Sequence, residues 1–210
     1  MSNNRRQYRV LGPLPRNDEF VVTDLTTMDR VSIDTDSRDS SVIDDDTEVR
    51  PGNLISAHVK TSNDTSRIHS ISVESETVFV FQRGITNLFE DALDAWEEAK
   101  RKGSAMNSRV TYSTEREPNG AIYVFAEQTG TDLFAQFRDG SRPIDPLLSQ
   151  IDKPEPYEVF IFDPASHRFI LIYIVFEKGS LLANTVRDTY INQAEAGHSL
   201  IDQFTGPNDT

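Results

Sequence analysis

Tyr157-Glu-Val-Phe-Ile-Phe162, Asp163-Pro-Ala-Ser-His167 and Arg168-Phe-Ile-Leu-Ile-Tyr-Ile-Val-Phe176 read in succession as a strand, a turn and a second strand. Phe169 to Phe176 is the longest apolar run in the chain, eight residues, against the ~20 that a membrane span needs. The pair is therefore a buried hairpin of a folded domain. Upstream, Arg109-Val-Thr-Tyr-Ser113 and Ala121-Ile-Tyr-Val-Phe-Ala126 predict another hairpin around Glu117-Pro-Asn-Gly120, because Asn-Gly favours the positive φ of a tight turn.

Helical signals follow each hairpin. Thr131 is placed to cap a short helix carrying Leu133, Phe134 and Phe137 and stopped by Gly140. Asp145-Pro146 reads as an N-cap and first helical position for Leu147 to Ile151. Ser180 is placed to cap a last helix through Leu182, Val186 and Tyr190. Ala121-Ile-Tyr-Val-Phe-Ala-Glu127 echoes Leu171-Ile-Tyr-Ile-Val-Phe-Glu177, each leading to a helix with an Arg-Asp pair, Arg138-Asp139 and Arg187-Asp188. Such a ββα repeat predicts a four-stranded antiparallel sheet covered on one face by helices. Before it, Ile85, Leu88, Phe89, Ala92, Trp96 and Ala99 recur at helical spacing. Asn87 with Glu90 forms a candidate capping box, Glu97–Arg101 and Glu98–Lys102 are i,i+4 pairs, and Gly103 ends the helix. Lys100, Arg101 and Lys102 suit the dipole of its last turn.

Residues 8–81 read differently, as short strands with turns. The candidates are Tyr8–Leu11, Phe20–Asp24, Arg30–Ile33 paired back across Thr26–Asp29, Leu54–Lys60, Arg67–Val73 and Thr77–Phe81. Between them, Asp34–Val49 is an acidic, solvated loop containing Asp44-Asp45-Asp46. That many short strands predict a small β-barrel of OB or SH3-like type. The expected organisation is α+β: a barrel domain over residues 1–81 with its acidic loop at 34–49, an antiparallel-sheet α+β domain over 84–192, and a polar tail at 193–210.

The chain has 210 residues and a formal net charge of −13, from 20 Asp and 14 Glu against 16 Arg and only 5 Lys. Its hydrophobic fraction, 37 %, lies below the usual ~45–50 %, yet twelve Phe and six Tyr supply a core. A carboxylate-rich, Lys-poor surface suits a cytoplasm at molar salt, where the Debye length of about 3 Å screens the net charge. The absence of cysteine excludes a disulfide framework, a thiolate metal site and a Cys nucleophile. Met1-Ser-Asn-Asn-Arg-Arg leads into a polar stretch without an apolar h-region, so no signal peptide is expected, and the predicted location is cytoplasmic.

Three segments carry a resemblance. They are Gly84-Ile-Thr-Asn-Leu-Phe-Glu-Asp-Ala-Leu-Asp-Ala-Trp96, Ala105–Thr114 with Glu117–Phe125, and Tyr173-Ile-Val-Phe-Glu-Lys-Gly-Ser-Leu-Leu-Ala-Asn-Thr-Val-Arg-Asp-Thr-Tyr190. Together they resemble an uncharacterised protein family of haloarchaea, a domain of unknown function, over about residues 8–190. The resemblance supports the high-salt reading and carries no activity, cofactor or catalytic residue.

No Walker loop, dinucleotide Gly fingerprint or Gly-flanked Ser elbow is present. His58, His69, His167 and His198 lack metal-ligand spacing, so no cofactor or metal is expected. The candidate catalytic residues are Glu127, Glu177 and Lys178 at the ends of the two apolar strands. If the echo is a structural repeat, the two carboxylates approach each other for acid–base work. Candidate partner-binding residues are Arg5, Arg6 and Arg9 of a basic arm that also includes Arg16, suited to a nucleic acid, although residues 1–80 carry a net charge of −5. Ile201 and Phe204, in the tail segment His198-Ser-Leu-Ile-Asp-Gln-Phe204, resemble the spaced anchors of a clamp-docking peptide. His198 stands where Gln is expected, and Thr205 where a second aromatic belongs. The preferred reading is a non-enzymatic binding or adaptor module for a protein or nucleic-acid partner. The alternative is a small-molecule enzyme using the strand-end carboxylates.

Overall fold

The computed structural model describes residues 5–13, 19–34, 49–62 and 65–192. They form a mixed α+β chain with two sheets. The first contains β1 (Arg5–Pro13), β2 (Glu19–Asp24), β3 (Arg30–Asp34), β4 (Leu54–Ser62) and β5 (Thr65–Ser75). Its pairings run β1–β2–β3–β5–β4 and return from β4 to β1, with one register pair, Asp34 with Arg67, across the β3–β5 seam. Tyr8, Val10, Val22, Ile55 and Ala57 fill its interior from alternate strand positions. The acidic stretch is outside the described residues over positions 35–48.

The second sheet holds β6 (Val78–Ile85), β7 (Met106–Tyr112), β8 (Pro118–Ala126), β9 (Glu158–Pro164) and β10 (Phe169–Val175), in the order β6-β9-β10-β8-β7. Both predicted hairpins form, β7 with β8 and β9 with β10. Their inner strands, β8 and β10, pair antiparallel, with Ala126 opposite Phe169 and Gly120 opposite Val175. The segment Thr77–Phe81, expected to close the N-terminal series, supplies β6, which pairs parallel with β9 at the edge of the second sheet. Both its faces are apolar, Phe79 and Phe81 on one side and Val78 and Val80 on the other, so it belongs where both faces meet protein. The sheet is therefore five-stranded and mixed, not four-stranded and antiparallel.

Helices lie on both faces rather than one. Under one face, Tyr123, Phe125, Ile161, Ile170 and Ile172 pack with α2 (Leu133–Asp139) and α3 (Asp145–Leu148) through Leu133, Phe134, Phe137, Leu147 and Leu148. On the other, Ile122, Val124, Phe162, Phe169 and Leu171 pack with α1 (Glu90–Lys102), α4 (Leu181–Arg187) and the π-helical turn Asp188–Asn192. The sequence echo explains the two-sided cover. Ala121, Tyr123 and Phe125 belong to the first core, whereas their echoes Leu171, Tyr173 and Val175 belong to the second, so the helices that follow dock on opposite faces.

Several local signals are met differently from expectation. Phe89, not Asn87, is the N-cap of α1 and makes no side-chain cap bond. Instead the Phe89 amide donates to the Tyr190 hydroxyl, which donates to the Asn87 carbonyl, both at 3.1 Å. Gly103 ends α1 as expected, and Lys102–Glu98 forms, while Glu97 takes Lys100 in place of Arg101. Asp132 replaces Thr131 as the α2 cap, and Ile144 precedes Asp145 as the α3 cap, but Ser180 caps α4 through Ala183.

Asn119-Gly120 is not the turn. Ser113 accepts from Glu115 and Glu117 around that bend, and Gly120 lies inside β8. A Cβ on Gly120 would come within 2.7 Å of the Tyr173 ring and 2.9 Å of the Ile174 carbonyl. The glycine therefore serves close packing between central strands. Gly120→Ala is expected to lower stability by about 1–3 kcal/mol through overpacking, measured as a shift in denaturation midpoint with an unchanged m-value.

Candidate functional site

The two sheets are joined by a buried guanidinium. Arg9 on β1 is only 2 % exposed. Its Nε donates to Asp145 Oδ1 at 2.8 Å, Nη2 to Glu155 Oε1 at 2.7 Å, and Nη1 to both Glu155 Oε2 and the Gly52 carbonyl at 2.9 Å. Thr77 Oγ1 donates to Glu155 Oε2 and accepts from the Tyr157 amide, each at 2.9 Å. Asn53 Nδ2 donates to the Thr77 carbonyl at 3.1 Å. Gly52 is required here: its φ is +96°, and a Cβ would meet the Phe79 amide nitrogen at 2.5 Å.

The node's two carboxylates are perturbed in opposite directions. Burial raises the Asp145 pKa, Arg9 opposes that only in part, and among the described residues Asp145 Oδ2 is buried without a hydrogen-bond partner. Burial also acts to raise Glu155, but the Arg9 hydrogen bonds and charge, with Ser75 and Thr77, outweigh it and hold Glu155 below its ordinary value. For Arg9, burial opposes the charge, yet Glu155 and Asp145 together raise its pKa.

An open cleft lies at the same strand ends of the second sheet as the node, with Lys153 and Pro154 of its lining leading directly into Glu155. It has a volume of about 810 Å³, and its lining includes Tyr112, Glu117, Lys153, Phe176, Glu177 and Leu181. Its wall is fixed by a hydrogen-bond chain in which the Tyr173 hydroxyl meets Thr111 at 3.1 Å and Thr111 donates to Asn119 at 2.9 Å. Its rim is set by Glu158, fully buried at the start of β9, which takes the Gly179 amide at 3.2 Å and the Arg187 guanidinium. Those bonds fix the entry to α4, whose Ala183 and Val186 face the core and leave Leu181 84 % exposed. Tyr112 is 60 % exposed across the opening, and the Lys153 ammonium stands 5.9 Å from the Phe176 ring centre.

The predicted catalytic carboxylates do not meet. The Glu127 amide bonds Arg168 at one end of the β8–β10 pair, while Phe176, next to Glu177, bonds Asn119 at the other. Antiparallel pairing therefore separates the echoed positions by roughly 20–30 Å at ~3.3 Å per residue. Glu127 instead lines a polar groove with Asp132, Asp163 and Arg168, in which Arg83 bridges Asp132 and Asp163. Lys178 pairs with Glu76 at 3.0 Å.

The basic arm is also divided by the fold. Arg5 is exposed, Arg6 pairs with Asp24 at 3.0 Å, and Arg9, predicted to meet a partner, is consumed by the buried node. His58 lies opposite Ser70 rather than opposite His69. Arg16, Asp44-Asp45-Asp46, Ile201 and Phe204 fall outside the described residues. Among the described residues no group of three His, Asp or Glu is arranged to hold a metal ion, and no helix is long and apolar enough to cross a membrane. The Arg9 node was missed because nothing local marks one arginine of an Arg-rich arm as buried. Glu158 was missed because it stands inside an apolar strand.

Removing Arg9 leaves the buried Asp145 and the half-buried Glu155 without their cation. Arg9→Met is expected to cost about 3–5 kcal/mol, read by chemical denaturation. The contribution of Glu155 is full above the ordinary Glu pKa of about 4.3 and fades as the pH falls through its lowered folded value. The stability gap between wild type and Glu155→Gln should therefore shrink on acidification. A gap that widens would contradict this assignment.

No curated protein and no solved structure matches the chain. A family model described as a family of unknown function, DUF6663, matches residues 1–196, and the chain belongs to that family.

Proposed function

We propose that this protein is a non-enzymatic binding module that receives a protein partner at the cleft between the β7–β8 bend and α4. The observation that carries this reading is the pairing of Tyr112 and Leu181, 60 % and 84 % exposed, across an opening of about 810 Å³ over Phe176. Aromatic and aliphatic side chains held in water on a fixed frame are typical of recognition surfaces. The polar rim of Glu117, Lys153 and Glu177 supplies orientation. We read the first sheet, with its circuit of pairings, as a small barrel of OB or SH3-like kind that supports the second through Arg9. The acidic, Lys-poor composition supports work in a cytoplasm at high salt.

A nucleic-acid partner is less well supported, since Arg9 is buried and Arg6 is paired with Asp24. The enzyme alternative keeps Glu177 beside Lys153 in the cleft but loses Glu127 as its second carboxylate.

A photocrosslinking amino acid at position 181 should capture a nuclease-resistant protein partner, and the same group at exposed Met28 should not. Glu177→Gln, which removes one rim charge and keeps the side chain's size, should weaken that crosslink without abolishing it. Equal capture at both positions, or material lost to nuclease, would refute the cleft as a protein site.

A further inference from the structure

The cleft opens at one end of β7, and β7 is an edge strand that pairs only with β8 among the described residues. The Ala126 amide donates to the Ala105 carbonyl at 2.8 Å. With Met106 opposite Phe125, the strand alternation directs the ladder bonds of Asn107, Arg109 and Thr111 toward β8. The backbone groups of Ser108 and Val110 consequently point away from the sheet. Met106 satisfies its own backbone through Ser104.

The two edges of the sheet are treated differently. At β6 the Phe79 amide donates to the Pro51 carbonyl at 2.9 Å, so the turn before β4 covers that edge. β7 has no proline and no lysine and, among the described residues, no such cover, the devices by which folds usually blunt an edge.

The side chains of β7 divide into two faces. Met106, Val110 and Tyr112 are 43 %, 44 % and 60 % exposed on one of them. On the other, α1 lays acidic side chains along the strand. Arg109 Nη1 lies 3.1 Å from both Asp91 and Asp94, and Asn107 Nδ2 is 3.3 Å from Glu98. Two carboxylates thus share one guanidinium nitrogen, leaving an excess of negative charge beside the open edge.

We propose that the β7 edge, continuous with the cleft, binds an extended segment of a protein partner as a sixth strand, with apolar and basic residues alternating in that segment. This rests on the protein-binding reading of the cleft and names the partner's chemistry. The apolar residues would cover Met106, Val110 and Tyr112, the basic ones would meet Asp91 and Asp94, and the backbone would pair with Ser108 and Val110. A second copy of this chain fits less well. Two-fold pairing about Arg109 would gather four carboxylates around two guanidinium groups, between chains that each carry −13.

The test uses the full chain with short fluorescent synthetic peptides, one alternating Val and Lys, one alternating Val and Glu, and one with its Val and Lys in separate blocks. Fluorescence anisotropy should give tighter binding of the Val/Lys alternating peptide than of either other peptide by about tenfold or more, equivalent to about 1.4 kcal/mol. Val110→Pro removes an outward N–H that carries no ladder bond, so circular dichroism should remain native while the affinity falls by a similar factor. Should the proline variant not fold, Val110→Lys keeps the backbone and should also abolish the preference. Binding that survives both Val110 variants but is lost in Leu181→Glu would overturn the added strand while preserving the cleft. Equal affinity for the Glu peptide would overturn the charge assignment. Loss of a concentration-dependent dimer in Val110→Lys, without any peptide binding by wild type, would assign the edge to self-association instead.

Discussion

One buried guanidinium holds the molecule together. Arg9 projects from the first sheet toward the second, and every nitrogen of its head finds an oxygen on Asp145, Glu155 or Gly52. A cation in that position is tolerable only because two carboxylates and a carbonyl replace the water it has lost. The same bonds also fix their neighbours. Glu155 is held by Thr77, Thr77 by the Tyr157 amide, and the turn at Gly52 by its approach to Phe79. The entry to β6, the entry to β9 and the start of β4 are thus located relative to β1 by one polar network.

From that joint the second sheet follows. β6 enters parallel to β9, its outer edge covered by the turn that Arg9 holds, while the β9–β10 and β8–β7 hairpins extend the sheet away from the joint. Apolar residues on both faces of β8, β9 and β10 require helices on both sides, and α1 approaches closely because Ala92, Ala95 and Ala99 present almost no bulk. β7 ends this series. It lies farthest from the covered edge, and its apolar face extends past α2 and α3, giving the molecule an open cleft and an open strand at the same end.

Much of this was legible from local chemistry. Apolar runs broken by turn residues identified the hairpins, three-and-four spacing identified α1, Gly103 its end, and Ser180 the start of α4. Local signals failed wherever two options had similar free energy and a distant contact chose between them. Asn119-Gly120 carries a strong turn signal, yet Gly120 is needed where Tyr173 crosses close by, so the chain bends earlier. Asn87 could cap α1 by itself, but Tyr190, from the far end of the chain, bonds the Phe89 amide. Of the candidate site, Glu177 was found from its position at a strand end, while Tyr112, Lys153 and Leu181 join it only through folding.

The α+β class, most strand and helix positions and the lack of thiol groups can be read from local pattern alone, because periodicity, turn residues and composition act over a few neighbours. Long-range packing chooses which sheet takes β6, which faces carry helices, and which arginine is a structural ion rather than a surface charge. It also separated Glu127 from Glu177, whose shared sequence context suggested proximity. Strand pairing and ion burial depend on residues far apart in the chain. Antiparallel register sends equivalent residues to opposite ends of a sheet, and an arginine is buried only where remote carboxylates arrive to replace its water.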